Sequence, residues 1–136
     1  MGRLIGSVFR KWRRYIDNQF RDLGFSDATR SPLIALYDSG KELRQRDLAA
    51  ILGLEASALV RVIGILEQRQ LVRCEADPTD KRTKLISLTP LGREWAQYII
   101  SKSMEAELRF LATVSDDEKE AMRSALKKMA ISIPDG

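Results

Sequence analysis

The chain has no histidine and a single cysteine, Cys74, among its 136 residues. A lone thiol excludes an intramolecular disulfide, and without imidazole there is no Cys/His zinc site and no histidine-based triad. Most soft-metal and nucleophilic-enzyme classes fall with that absence. The carboxylates are scattered along helical stretches or sit in capping positions, and no motif brings a pair together for acid–base work. The expectation is therefore a protein with no catalytic site, metal or cofactor. No apolar run approaches the roughly 18 residues of a membrane span, so no membrane partner is expected. The short apolar stretch Met1 to Phe9 precedes Arg10 and Lys11, the reverse of a signal peptide's order, and the reading is cytoplasmic. Internal repeats, low-complexity tracts and interdomain linkers are also missing.

Apolar residues make up 44% and charged residues 31% of the chain, enough at this length for one domain with a core of its own. The net charge of +4 is unevenly spread. Residues 1–93 carry 17 basic and 11 acidic side chains, whereas 94–136 carry 6 and 8. A positive N-terminal two-thirds suits a polyanion partner.

Leu4, Ile5, Val8, Phe9, Trp12, Tyr15, Ile16, Phe20 and Leu23 recur at spacings of three and four. This predicts an amphipathic helix over 4–23 that ends at Gly24, with Arg10, Arg13, Arg14 and Arg21 off its apolar stripe. Ser26 is suited to cap a helix over 27–38, which Pro32 should kink or restart before Asp38-Ser39-Gly40 closes it. A short helix over 45–52 stops at Gly53, and another runs from Glu55 or Ala56 to about Arg69. Helix, glycine-containing turn and helix make a helix-turn-helix pattern. On a 100° wheel Ala56, Leu59, Val62, Ile63 and Leu66 fall on one side of the second helix, and Ser57, Arg61, Gly64 and Gln68 on the other.

Downstream, Asp77-Pro78-Thr79-Asp80-Lys81-Arg82 separates Leu71-Val72 from Lys84-Leu85-Ile86-Ser87-Leu88-Thr89. Two short strands with a basic tip predict a β-hairpin that can reach along a duplex. Thr89-Pro90 opens a long helix to about Ala112, and the capping box Ser115-Asp116-Asp117-Glu118 opens a last one to about Ile131. The fold class expected is mainly α with a small β-hairpin wing: a winged helix-turn-helix lobe flanked by N- and C-terminal dimerisation helices.

With these elements in place the chain resembles the MarR/SlyA family of transcriptional regulators over essentially its full length. Three stretches carry the resemblance: Gln45-Arg46-Asp47-Leu48-Ala49 with Ser57-Ala58-Leu59-Val60-Arg61, the wing motif from Asp77 to Arg82, and Leu88-Thr89-Pro90-Leu91-Gly92. Trp12 to Asp17 and Leu59-Val60-Arg61 look closer to the SlyA branch. The resemblance implies a homodimer that binds double-stranded, pseudo-palindromic DNA, in many members a repressor relieved by a small aromatic or phenolic effector. It implies that Ser57 and Arg61 enter the major groove, that Arg82 enters the minor groove, and that Asp80 holds that arginine in place. Two positions depart from the family pattern: Cys74 replaces a common arginine at the wing base, and Gln70 replaces a common glycine after the recognition helix, which should reshape that junction.

The expected DNA-contacting set is Gln45, Arg46, Ser57, Arg61, Gln68, Asp80, Lys81, Arg82 and Lys84. Against it stand plainer readings, a solvated arginine at Arg61 and a charged turn tip at Lys81 and Arg82, and Asp80 can also serve turn chemistry. The apolar stripe with Trp12 and Trp95 reads as core or dimer interface before ligand pocket. The expected interface members are Ile5, Phe9, Trp12, Ile16, Ile99, Leu111 and Leu126. The organisation expected is one domain over 1–136, with 26–92 as the winged lobe and 1–25 and 93–136 as dimerisation segments. The competing class is a winged-helix module that contacts protein rather than DNA.

Overall fold

In the computed structural model, which describes residues 1–134, Ile16 and Phe20 anchor the first helix, α1 (Gly2–Phe20), to the rest of the chain. A 3₁₀ turn, Arg21–Leu23, completes the stretch, and Gly24 at φ +73° ends it in the left-handed conformation that glycine adopts without strain. Ser26 then caps α2 (Asp27–Ser39) in a reciprocal box with Thr29. Pro32 does not divide α2. It sits buried within one continuous helix, where packing outweighs the lost backbone donor.

Helices α3 (Gln45–Leu52) and α4 (Ala56–Gln68) follow, separated by Gly53 at φ +63° and inclined at 106° to each other, within the range of a helix-turn-helix. Leu48, Leu59, Ile63 and Leu66 point inward from this pair into a core shared with Phe20, Leu33, Ile86 and Ile99. Each fully buried leucine or phenylalanine contributes on the order of 1.5–3 kcal/mol. Ala56, placed on the apolar side by the wheel, is exposed, because the buried face begins a turn later at Leu59.

The hairpin strands β2 (Val72–Ala76) and β3 (Lys84–Leu88) pair antiparallel from Val72 opposite Leu88 to Ala76 opposite Lys84. A third strand, β1 (Leu43–Arg44), pairs with the other edge of β3, so the sheet order is β1-β3-β2. Two residues give no periodicity, and the sequence did not announce this strand. Beyond the sheet, α5 (Pro90–Phe110) and α6 (Asp116–Ser132) run to the C-terminus. Asp135 and Gly136, the end of the expected dimerisation segment, lie outside the described residues.

Three polar devices lock the elements together. The Arg30 guanidinium, 4% exposed, donates to Asp17 at 2.6 Å and lies over the Phe20 ring, tying α2 to α1. Arg69, just past α4, donates to the Gly24 carbonyl at 2.8 Å and stacks on Phe25. Phe25 in turn meets Trp95 of α5 with ring centroids 5.1 Å apart. The third is the junction of β2 with α5. Thr89 N–H donates to the Leu71 carbonyl, its hydroxyl donates to the Gln70 carbonyl, and that hydroxyl oxygen accepts from Gly92 N–H. A Cβ on Gly92 would overlap the Leu71 carbonyl oxygen, so only glycine fits. Gln70 takes the left-handed backbone (φ +62°) that glycine adopts without strain, so glutamine bears strain there.

Two expected interface residues are core residues instead. Ile99 is fully buried and Ile16 is 9% exposed within the single chain, because α1 and α2 both pack on α5 and close over that part of the stripe.

Gly92→Ala should lower stability by about 1–3 kcal/mol, since the added methyl has only backbone to displace. Gln70→Gly should raise it by on the order of 1 kcal/mol by relieving a left-handed L-residue. Urea unfolding of the two variants checks both signs, and an unchanged midpoint for Gly92→Ala would contradict the packing described.

Candidate nucleic-acid interface

The buried face of α4 determines what its other face presents. With Leu59, Val62, Ile63 and Leu66 packed inward, Ser57 and Arg61, one turn apart, are both exposed on the outer side. Gln68 is exposed as well, but it closes the helix, about 10 Å along the axis from Arg61. Recognition helices reach base edges chiefly through their N-terminal residues, which puts Ser57 and Arg61 forward and Gln68 to the rear. Val60 and Ile65 were missed by the sequence reading. They are 52% and 45% exposed and flank the polar stripe, where an apolar side chain can meet a thymine methyl. Their wheel positions bordering that stripe were the available signal.

Gln45, half-buried, and Arg46, exposed, open α3. Neither α3 nor α4 has a side-chain cap, the N-cap residues being Arg44 and Glu55. Their first-turn amides therefore lack the side-chain acceptor that an N-cap residue supplies.

The wing tip is built on two aspartates. Asp77, 4% exposed, closes the loop by donating its N–H to the Thr83 carbonyl at 2.8 Å. Its Oδ1 accepts from the Thr79 amide at 2.9 Å and hydroxyl at 2.7 Å, and its Oδ2 meets Arg44 Nε at 3.2 Å. The Thr79 bonds, with Arg44 beside them, hold the Asp77 carboxyl below the usual aspartate range. Asp80 accepts from the Arg82 backbone amide at 3.0 Å and from the Thr83 hydroxyl at 3.2 Å. Among the described residues no ion pair joins Asp80 to the Arg82 guanidinium, so Asp80 shapes the turn through the backbone. Lys81 and Arg82 stand exposed at the tip, and Lys84 is exposed at the start of β3. Cys74 is half-buried on β2 opposite Ile86, and burial, aided by Glu67, pushes its thiol up. That makes it a poor nucleophile near neutral pH.

Among the described residues no single helix is long and apolar enough to cross a membrane. Residues 23–83, from the end of α1 to the wing tip, match the model of the MarR family. Over those residues the chain is similar to the MarR family. The HTH-type transcriptional regulator YxaD of Bacillus subtilis is 28% identical over 115 residues, covering 85% of this chain and 80% of that protein. A Thauera aromatica protein named as a transcriptional regulator for the hcr operon is 30% identical over 87 residues, 64% of this chain. The chain spans 52% of that second protein's length. In architecture it is similar to Staphylococcus aureus MepR in a complex with DNA, with a TM-score of 0.86 and 24% identity over 98% of both chains. Both of these sequence relatives are named as transcriptional regulators.

The lowered Asp77 pKa has a sign that can be checked. A carboxylate held below its unfolded value stabilises the wing above that value and loses its contribution as the pH falls through the folded one. The Thr79 amide resonance should therefore stay unchanged from neutral pH down to the ordinary aspartate range and titrate only beneath it. A midpoint at or above that range would contradict the buried, hydrogen-bonded carboxylate.

Proposed function

We propose that the chain is a homodimeric repressor that reads a pseudo-palindromic operator, with α4 in the major groove and the β2–β3 wing in the adjacent minor groove. The observation that best supports this reading is the pairing of an exposed Ser57–Arg61 face with a wing tip that presents Lys81 and Arg82. The tip's two aspartates are meanwhile engaged by its own amides and hydroxyls. Arg61 is the candidate base-edge contact and Arg82 the minor-groove contact. Gln45, Arg46, Gln68, Lys81 and Lys84 are the remaining candidate DNA contacts, and Asp80 orders the tip beneath Arg82. Residues 26–92 act as the DNA-binding lobe, in the cytoplasm alongside the DNA.

Residues 1–25 and 93–136 serve dimerisation in this reading. Support comes from α6, which has no buried residue and exposes Met122, Leu126, Met129 and Ile131. The start of α1 similarly exposes Leu4, Ile5, Val8 and Phe9. Apolar area of this extent calls for a partner, and a second copy supplies the same stripe by two-fold symmetry. Ile5, Phe9 and Leu126, with the half-buried Trp12 and Leu111, are the interface candidates that remain.

A small aromatic or phenolic ligand relieves repression. Supporting this is a cavity of about 120 Å³ lined by Phe9, Trp12, Arg13, Ile16, Asp27 and Arg30. Its size is comparable to the roughly 150 Å³ apolar cavity that accepts a benzene ring, and its charged lining is Arg13 and Arg30, paired with Asp27 and Asp17.

Arg61→Ala should cost on the order of 1–3 kcal/mol at the operator and little on scrambled duplex. Arg82→Ala should weaken operator binding by about tenfold or more and flatten the salt dependence by roughly one counterion per subunit. Fluorescence titration at several salt concentrations, repeated with benzoate as the effector probe, checks these points. Binding by both variants with unchanged affinity and salt slope would overturn the reading and leave a winged helix that contacts protein.

A further inference from the structure

Arg44 occupies the residue before α3, where serine, threonine or aspartate would ordinarily cap the helix, yet it makes no capping bond. Its side chain goes elsewhere. Arg44 pairs with Leu85 of β3, and Leu85 pairs on its other side with Glu75 of β2. To reach Asp77 the guanidinium therefore crosses the central strand and meets Oδ2 at 3.2 Å on the far side of the sheet. Asp77 is the residue from which the tip turn is built, closed by its amide on Thr83 and by Thr79 on its Oδ1. One ion pair thus links the residue that begins the helix-turn-helix to the residue that begins the wing tip.

We propose that Arg44 is a positioning residue for DNA recognition: the Arg44–Asp77 pair braces the wing at a fixed angle to α3 and α4, so that tip and recognition helix engage their grooves together. This rests on the reading of the wing as a DNA-contacting element. The backbone alone holds the wing to the helices weakly on this side. β1 is two residues long, and so short a strand gives few ladder bonds. Asp77 carries the load well because its side chain is 6% exposed and its other oxygen is already satisfied by Thr79, which leaves Oδ2 one direction to face. A wing free to swing must be ordered when DNA binds, and that ordering is subtracted from affinity. A braced wing has made the adjustment on folding. The missing cap is consistent with the same role, since the position that would stabilise α3 locally has been given to a side chain long enough to span the sheet.

Arg44→Ser gives a discriminating test, because serine restores a capping hydroxyl to α3 while removing the brace. The variant is titrated against operator duplex in the wild-type and Arg82→Ala backgrounds, with thermal unfolding run alongside to show that the lobe remains folded. A brace acting through the wing predicts about three- to tenfold weaker binding in the wild-type background and no further loss once Arg82 is gone. Asp77→Asn, which keeps an acceptor for Thr79, should weaken binding in the same direction and add nothing to Arg44→Ser. Equal losses in both backgrounds would mean that Arg44 touches DNA itself, and the brace is overturned. It is equally overturned if Arg44→Ser binds as wild type while Arg82→Ala does not, an outcome that leaves the wing reading standing. If Arg82→Ala itself has no effect, the wing reading fails and the brace fails with it.

Discussion

The contact on which the rest of the structure depends is the backbone crossing of Leu71 and Gly92. There the end of α4, both hairpin strands and α5 meet within a few residues. The Leu71 carbonyl lies where a side chain on residue 92 would be, and the same carbonyl accepts from Thr89. Because this approach is backbone to backbone, no flexible side chain can absorb a change in it. The wing consequently leaves the lobe in one direction relative to α4, and α5 leaves in another. The helix-turn-helix, the wing and the two C-terminal helices are connected through a joint that cannot be adjusted cheaply.

From that joint outward, charge is arranged more by shape than by quantity. The net charge of +4 is modest, and a sum alone would not mark a DNA-binding surface. What matters is that, among the described residues, neither carboxylate nearest the basic tip forms an ion pair with Lys81 or Arg82. Asp77 is buried against Thr79 and Arg44, and Asp80 is engaged by the Arg82 amide and the Thr83 hydroxyl. Both aspartates fold the tip, and Lys81 and Arg82 remain exposed to act on a polyanion. A similar economy holds at the C-terminal end of α4. Arg69 is held by the Gly24 carbonyl and the Phe25 ring, which fastens the end of α4 to the corner between α1 and α2.

Much of this was legible in the sequence, where one local signal decides the outcome. Gly53 and the heptad-like spacing from Leu59 to Leu66 set the helix-turn-helix, and α3 runs over the residues expected. The Ser26 and Ser115 caps and the Thr89-Pro90 start were equally plain. What was not legible depends on contacts between distant residues. β1 is too short to show a period and exists because β3 has a free edge for it. Pro32 was expected to kink or restart α2, and the helix runs through it without a restart, with Pro32 buried in the core. The apolar stripe that includes Ile16 and Ile99 could not reveal which of its members face the chain's own core and which face outward. Of the two roles open to Asp80, the arginine contact implied by resemblance and turn chemistry, the hydrogen bonds present are those of the turn. Arg44 carried a signal that went unread: a long cation where a short capping residue is usual.

The central claim is that α4 and the wing of two symmetry-related copies lie in neighbouring grooves of one duplex. Affinity cleavage tests it most directly, with an iron chelate attached at Ser57→Cys or Lys81→Cys after Cys74 is replaced by serine. The account predicts cuts from residue 57 within two half-sites whose centres lie about one helical turn, roughly 10–10.5 bp, apart. Cuts from residue 81 should fall in the minor groove flanking each half-site. Cleavage at a single half-site, or none from residue 81 under saturating protein, would contradict it.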